Sequence, residues 1–472
     1  MKHGQQLTQS IATLRQKAAA LTPGAFDAAV LVLSSHEWGA LEASYWNSSH
    51  PLPIEARSAL NAYLEIAKIV WHKSGLGQAE PLALYKTTLQ SKQSIETALR
   101  VLAKIYAGCN LGYGSPPMGF WRTVYALTGY LVSDSYPDRG ARSTLLNQAI
   151  QLWLMAWLNP LSLPPGHLPV AVRLVGILSK ICSFTLTSPT HAGSGLAVAD
   201  LMSDSAPMSF SRVPAVWEPA APLYINAQDA AFTIRELSTP GAVNKPRDAY
   251  DSLLQSGQQV GLSALEMQNF VRSAMRKFAY SNSRSIPRVG RNESVKVVVG
   301  LIEVWSALQE QTKTSASGVS TRDAYTSSAA TIINHSEGGF LLQFAPGRPL
   351  LCVESLLCLR GGDADPWTVA AVRWLDDSSE VMLAGCEVIC NFAQARIAQA
   401  ADGGQHLPVI AYQSGDATSV LIPRDASATT AVTQLSLDDE AWVITAAADI
   451  GEDWQRSTVL DVIRTANLAG HK

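Results

Sequence analysis

The chain has 472 residues, 47% hydrophobic and 16% charged, a balance that builds globular cores and excludes a disordered or collagen-like polymer. A formal net charge of −3 excludes a polyelectrolyte that grips DNA or RNA along its length, so any anion site must come from local clustering. At about 150 residues per domain the length leaves room for roughly three domains.

From the N-terminus, MKHGQQLTQSIATLRQKAAAL lacks the apolar core of a secretory signal. Residues 1 to about 182 read as successive amphipathic helices. PIEARSALNAYLEIAKIVWHKSG sets Ile54, Leu60, Tyr63, Leu64, Ala67 and Val70 near one face and ends at Gly75. SKQSIETALRVLAKIYAG does the same with Ile95, Leu99, Leu102 and Ile105, and Ser91 or Ser94 as cap. Helices follow at GFWRTVYALTGYLV, ARSTLLNQAIQLWLMAWL and LPVAVRLVGILSKICSF. Short Pro/Gly connections between them argue for a bundle or an α-solenoid. The most apolar stretch, Leu152 to Phe184, is interrupted by Asn159, prolines, Arg173 and Lys180, which opposes a membrane span. Trp46, Trp71, Trp121, Trp153, Trp157 and Trp217 all fall in the helical region, where packing is the ordinary use of the residue.

Between Phe184 and about Trp217 the composition turns to Ser, Pro, Gly and Thr, the mark of a hairpin or long exposed loop. Helices resume at NAQDAAFTIREL, PRDAYDSLLQSG and SALEMQNFVRSAMRKFAYS. From Val295 the pattern is β, in six runs: VKVVVGLIEVW, AATIINH, GGFLLQFA, LLCVESLLCLR, WTVAAVRWLDD and EVMLAGCEVIC. Strands at this spacing suit a small barrel. RGGDADP and DDSSE read as hairpin turns, and residues 312–328 as a polar insertion loop. FAQARIAQAA reads as a short helix, and LPVIAYQ, TSVLIPRD, AVTQLSL, AWVITAAADIGEDW and STVLDVI as a last, smaller β module.

The six cysteines, Cys109, Cys182, Cys352, Cys358, Cys386 and Cys390, contain no CxxC and read as buried reduced thiols. With no signal or span, the expected location is the cytoplasm. No phosphate loop, HExxH, GxSxG or GxGxxG occurs, and the nine histidines are scattered. The sequence therefore offers no catalytic residues, no metal ligands and no cofactor, and an enzyme is not expected.

One constellation carries chemistry. RSIPR places Arg284 and Arg288 four residues apart at the end of the last helix, and NHSEGG supplies Asn334, Ser336 and Gly339 downstream. Pro287 holds Ile286 extended. Asn334 and Ser336 alternate along a strand end and so share a face, with His335 pointing the other way. Arg272, Arg276, Lys277, Arg284, Arg288, Arg291 and Lys296 cluster within one short stretch against Glu293 alone, a place to draw an anion.

The two halves together resemble the PilZ domain family, whose signature is RxxxR followed by Asp or Asn, then xSxxG. The resemblance extends over about residues 276–392. It implies a small antiparallel β-barrel that binds the bacterial second messenger cyclic di-GMP. By that resemblance Arg284 and Arg288 grip phosphate and stack on guanine, Asn334 and Ser336 bond base edges, and Gly339 lets the ligand approach. Arg291 joins them as a neighbouring cation. Val372, Arg373 and Trp374 resemble the family's late barrel strand, with Ala370 and Ala371 where glycine is more usual and Trp374 as packing.

The expected architecture is α+β and multidomain. A helical domain over 1–275 is followed by the PilZ-like barrel over 276–392 and a β-rich module over 393–472. The expected function is a cytoplasmic cyclic di-GMP effector that reorients its helical domain and binds a protein partner through it, with a ligand-linked dimer in view. The alternative is a PilZ-like adaptor that binds proteins without nucleotide.

Overall fold

The computed structural model describes residues 2–24, 26–46, 54–76, 92–111, 113–132, 139–164, 166–185, 196–209, 219–227, 229–230, 233, 247–279, 288–317, 325–345, 351–377, 381–400, 406–424, 432–437, 440–445, 449–450 and 454–464. The chain forms two compact units, Met1–Arg284 and Ser285–Lys472.

The first unit is built on helices α1 (Lys2–Ala19), α2 (Phe26–Leu33), α3 (His36–Trp46), α4 (Ile54–Ser74), α5 (Lys92–Leu111), α6 (Phe120–Val132), α7 (Arg139–Leu158), α8 (His167–Leu178), α9 (Arg247–Gln259) and α10 (Ala264–Ala279). The expected stripe on α5 is buried at Ile95, Leu99, Leu102 and Ile105, and that on α4 at Leu64, Ala67 and Val70; the side chains of Ile54, Leu60 and Tyr63 lie outside the described residues. Gly75 ends α4 with φ +75°, a conformation that penalises any side chain. Trp71, Trp121, Trp153 and Trp157 are all buried. Ring contacts run from Trp71 to Phe120, on to Trp121 and Tyr125, and then to Trp153. Trp217 lies outside the described residues, as does the side chain of Trp46.

The stretch expected to be a hairpin or loop does hold an antiparallel hairpin, Leu196–Asp200 with Met208–Ser209, and that hairpin belongs to a larger sheet. β1 (Ser183–Thr185), β2 (Leu196–Asp200), β3 (Met208–Ser209) and β4 (Pro222–Asn226) pair in the order β1-β4-β2-β3. β2 is buried along nearly its whole length, so the alternation that marks a half-exposed strand never appears in its sequence. Most of NAQDAAFTIREL lies outside the described residues.

Asp204, after β2, caps α6 from a distance. It accepts the Gly119 amide on Oδ2 at 2.5 Å and the Arg122 amide on Oδ1 at 3.1 Å. Asp204→Ala leaves those amides unmatched and should destabilise this unit by about 1–2 kcal/mol, read as a lower midpoint in urea unfolding. Ser263 and Glu266 cap α10 reciprocally, Ser263 donating to Glu266 Oε2 at 2.8 Å and the Glu266 amide to Ser263 Oγ at 3.3 Å.

The second unit opens with a closed antiparallel barrel. Its strands are β5 (Val289–Val299), β6 (Ser327–Ser336), β7 (Gly339–Phe344), β8 (Leu356–Arg360), β9 (Thr368–Asp376) and β10 (Met382–Cys390), ordered β10-β7-β6-β5-β8-β9. The six expected strands are these six, with two trimmed. LIEVW is not strand: β5 stops at Gly300, φ +98°, and helix α11 (Leu301–Ser317) begins. Leu301, Val304, Ala307 and Leu308 are buried at helical spacing, a period that the run of valines before them conceals. α11 also takes up the first part of the expected insertion loop, and residues 318–324 lie outside the description. LCVES (351–355) is a turn and not strand, with Glu354 at φ +73° and the Cys352 amide donating to Ser355 Oγ at 3.0 Å.

FAQARIAQAA is likewise not a helix but strand β11 (Ala393–Ala400). Alanine is the strongest helix former and glutamine a good one, but such propensity is a weak prior, and pairing with β12 (His406–Ser414) overrides it. β13 (Ala417–Pro423), β14 (Val432–Leu437), β15 (Glu440–Thr445), β16 (Asp449–Ile450) and β17 (Trp454–Arg464) complete the sheet β13-β12-β11-β14-β15-β17-β16. β13 also pairs with β17, which closes the sheet on itself. One core cluster contains Val298, Leu301, Trp367, Tyr412 and Trp454, so α11 and both β layers are packed together. Trp454 donates to the Glu354 carbonyl at 2.9 Å and Trp305 to the Arg396 carbonyl at 2.7 Å.

Candidate functional site

The two halves of the motif meet at one corner of the barrel. Arg288 sits immediately before β5, and its Nη1 donates to Asn334 Oδ1 near the end of β6 at 3.0 Å, across 46 positions of sequence. The register explains the meeting: Gly290 pairs with Asn334 and Val289 with His335. Bulges interrupt β5 between Gly290 and Glu293 and β6 between Ile332 and Asn334. A bulge bends its strand and re-aims side chains, and both fall beside the motif positions.

Ser336 and Gly339 pair across a tight hairpin whose tip is Glu337 and Gly338. Gly339 has a packing reason to be glycine: a Cβ there would lie 2.2 Å from the Cys386 carbonyl oxygen. The close approach is of one strand to another, β7 to β10. The Cys386 thiol is buried beneath this corner and pushed up to about 12 by desolvation, while the Arg288 and Arg373 guanidiniums act in the opposite direction. Both arginines therefore stand near it.

Arg373 on β9 is the residue that sequence reasoning did not assign to the site. It donates from Nε to Glu387 at 2.6 Å and from Nη1 to Glu354 at 2.5 Å. The available signal was an arginine inside an apolar strand, between buried Val372 and buried Leu375. Its neighbour Trp374 packs as expected: a Cβ on Gly385 would lie 1.9 Å from the indole Nε1, so the ring lies directly over that glycine.

The basic cluster is less concentrated than its sequence. Arg291 is ion-paired with Glu293 on the same strand. Lys277 bonds the Leu158 carbonyl and Ser162 Oγ, both at 2.5 Å, within the helical unit. Lys296 lies over the Tyr325 ring, 5.4 Å from its centroid. Arg284 lies outside the described residues. His335 buries its Nδ1 with no hydrogen-bond partner among the described residues. Also among them, no helix is long and apolar enough to cross a membrane.

Residues 302–395 match the family described as "Cyclic-di-GMP receptor FimW, middle PilZ domain". The match puts this barrel among PilZ domains. It contains Asn334, Ser336 and Gly339 and begins downstream of Arg284, Arg288 and Arg291. The PilZ barrel thus brings Arg288 to Asn334 from outside the matched segment. No curated protein matches the chain in sequence. The PilZ family is a binding family, and no enzyme family is indicated.

Proposed function

We propose that the PilZ barrel is a receptor for cyclic di-GMP and that its occupancy governs the helical unit. The observation that carries this reading is the Arg288–Asn334 hydrogen bond, which joins a phosphate-binding group to a base-reading group at one corner. The ligand offers two phosphates, guanine edges and aromatic faces. A guanidinium answers the phosphates with a planar fork and can also lie against a base. Asn334 presents both donor and acceptor to a guanine edge, and Ser336 a hydroxyl. Arg284 enters by its place in the motif, and Arg291 as a cation at the rim. No cofactor beyond the nucleotide and no turnover are part of the reading.

In the same proposal the protein works in the bacterial cytoplasm. The division between the units falls after Arg284, four residues before Arg288 in sequence, so in this proposal pinning the arginines would bias the orientation of the helical domain. That domain would pass the change to a protein partner, and nucleotide could bridge a dimer. A ligand shifts such an equilibrium only by its differential affinity for the two states.

Calorimetry of the full chain with cyclic di-GMP, and with GMP as control, tests the receptor. Saturable heat with the cyclic dinucleotide, weakened in Arg284→Ala, is the expected result. A silent titration would favour the adaptor reading. Small-angle scattering with and without nucleotide tests the coupling, and superimposable profiles would oppose it.

A further inference from the structure

The C-terminal module repeats the strand order of the PilZ barrel. Number the strands of each barrel one to six along the chain, omitting the two-residue β16. The PilZ barrel then closes as six-three-two-one-four-five, and β17-β13-β12-β11-β14-β15 closes in that same order. The motif hairpin is repeated as well. Ser336 pairs with Gly339 around two residues, and Ser414 pairs with Ala417 around Gly415 and Asp416.

This equivalence locates the motif corner in the second barrel. Gly290 pairs with Asn334 in the first, and Ala393 pairs with Tyr412 in the second. Tyr412 therefore occupies the place of Asn334, Asn391 that of Arg288 and Ala417 that of Gly339. A phosphate-gripping guanidinium has been exchanged for a neutral amide, and the base-reading amide for an aromatic ring.

The corner is not filled in. A groove of 880 Å³ runs past Asn391, Phe392, Tyr412 and Gln413, with Trp367 and Trp442 among its walls. Among the described residues that line it, Arg396 is the one charged side chain, and it donates to Gln394 at 2.9 Å. Phe392 stands 78% exposed at this corner. Tyr412 and Trp367 are core residues that floor the groove, so its exposed apolar face comes chiefly from Phe392 and Trp442, which with the neutral amides suit an occupant without net charge. Amides that are both donor and acceptor match the alternating N–H and C=O of an extended backbone. Thr418 accepts from Gln413 Nε2 at 3.0 Å, and Asn391 Oδ1 accepts from Thr368 at 3.3 Å. These bonds leave the Gln413 amide oxygen and the Asn391 amide nitrogen to a ligand.

We propose that the motif-equivalent corner of the second barrel, where Asn391 and Tyr412 replace Arg288 and Asn334, is a binding groove for an uncharged, extended peptide segment of a partner protein. The proposal rests on strand order and on the groove, and it stands whether or not the PilZ barrel binds nucleotide.

The test is selection of a displayed library of short random peptides on the full-length protein. Peptides without net charge and with aromatic or proline anchors should be enriched. Synthetic versions should lose about tenfold or more in affinity on Phe392→Ser and on Gln413→Glu. Both positions are exposed, so the variants should keep the parent's melting temperature. Cyclic di-GMP titrations should be unchanged in both. Failure to enrich any peptide that depends on Phe392 and Gln413 overturns the proposal. So does enrichment of charged peptides alone, or loss of cyclic di-GMP affinity in either variant, which would make the groove a nucleotide site.

Discussion

Arg288→Ala should weaken cyclic di-GMP binding by about 10- to 150-fold, the equivalent of the ~1.5–3 kcal/mol that a charge-assisted hydrogen bond contributes. The side chain is half-buried and already tethered to Asn334 Oδ1 at 3.0 Å, so little rotamer freedom remains to be lost when a phosphate arrives. Arg288→Lys should fall between the two, because it keeps the charge and discards the planar fork. Asn334→Ala should cost less by itself and add less than its full effect on top of Arg288→Ala, since residues in contact couple. Calorimetry on the four proteins, with melting curves to confirm folding, decides the matter. Equal affinity in wild type and Arg288→Ala would mean that the arginine serves the barrel and not a ligand.

Why the site was partly legible follows from what its residues do locally. Asn334, Ser336 and Gly339 lie within one strand end and one hairpin, so their spacing alone fixes their relation. Arg288 was legible as half of a motif, yet its contact with Asn334 depends on β5 lying beside β6, which only the folded register supplies. Arg373 was seen as strand because nothing local joins it to Glu354 and Glu387, 19 and 14 positions away. The misread elements have a common cause. LIEVW continued an apolar run, and FAQARIAQAA carried helix formers into a strand. In each case the local pattern was ambiguous, and a partner elsewhere in the chain settled it: the core under α11 for one and β12 for the other. The repeated strand order is invisible to residue patterns altogether. β11 and β12 are separated by residues 401–405, whereas β5 and β6 enclose all of α11, so the spacing of the first two strands differs between the barrels and only the short hairpin that follows is shared.

Gly339→Ala should be among the most damaging single methyls in the PilZ barrel. The added Cβ would stand 2.2 Å from the Cys386 carbonyl oxygen. The obstacle is backbone in a paired strand and cannot rotate aside, so β7 must lift from β10. A cost on the order of 3 kcal/mol would lower the melting temperature of this unit by about 6–12 °C. Gly338 is the control, since a Cβ there meets nothing within 4 Å, and Gly338→Ala should melt with the wild type. The contrast bears on how the motif is interpreted. A loss of nucleotide binding in Gly339→Ala would look like a lost ligand contact unless the folded fraction were measured alongside it. Destabilisation with normal affinity in the remaining folded protein would show that this glycine builds the corner and that Arg288, Asn334 and Ser336 use it. An unchanged melting temperature with binding abolished would reverse that order and place the new methyl in the path of the nucleotide.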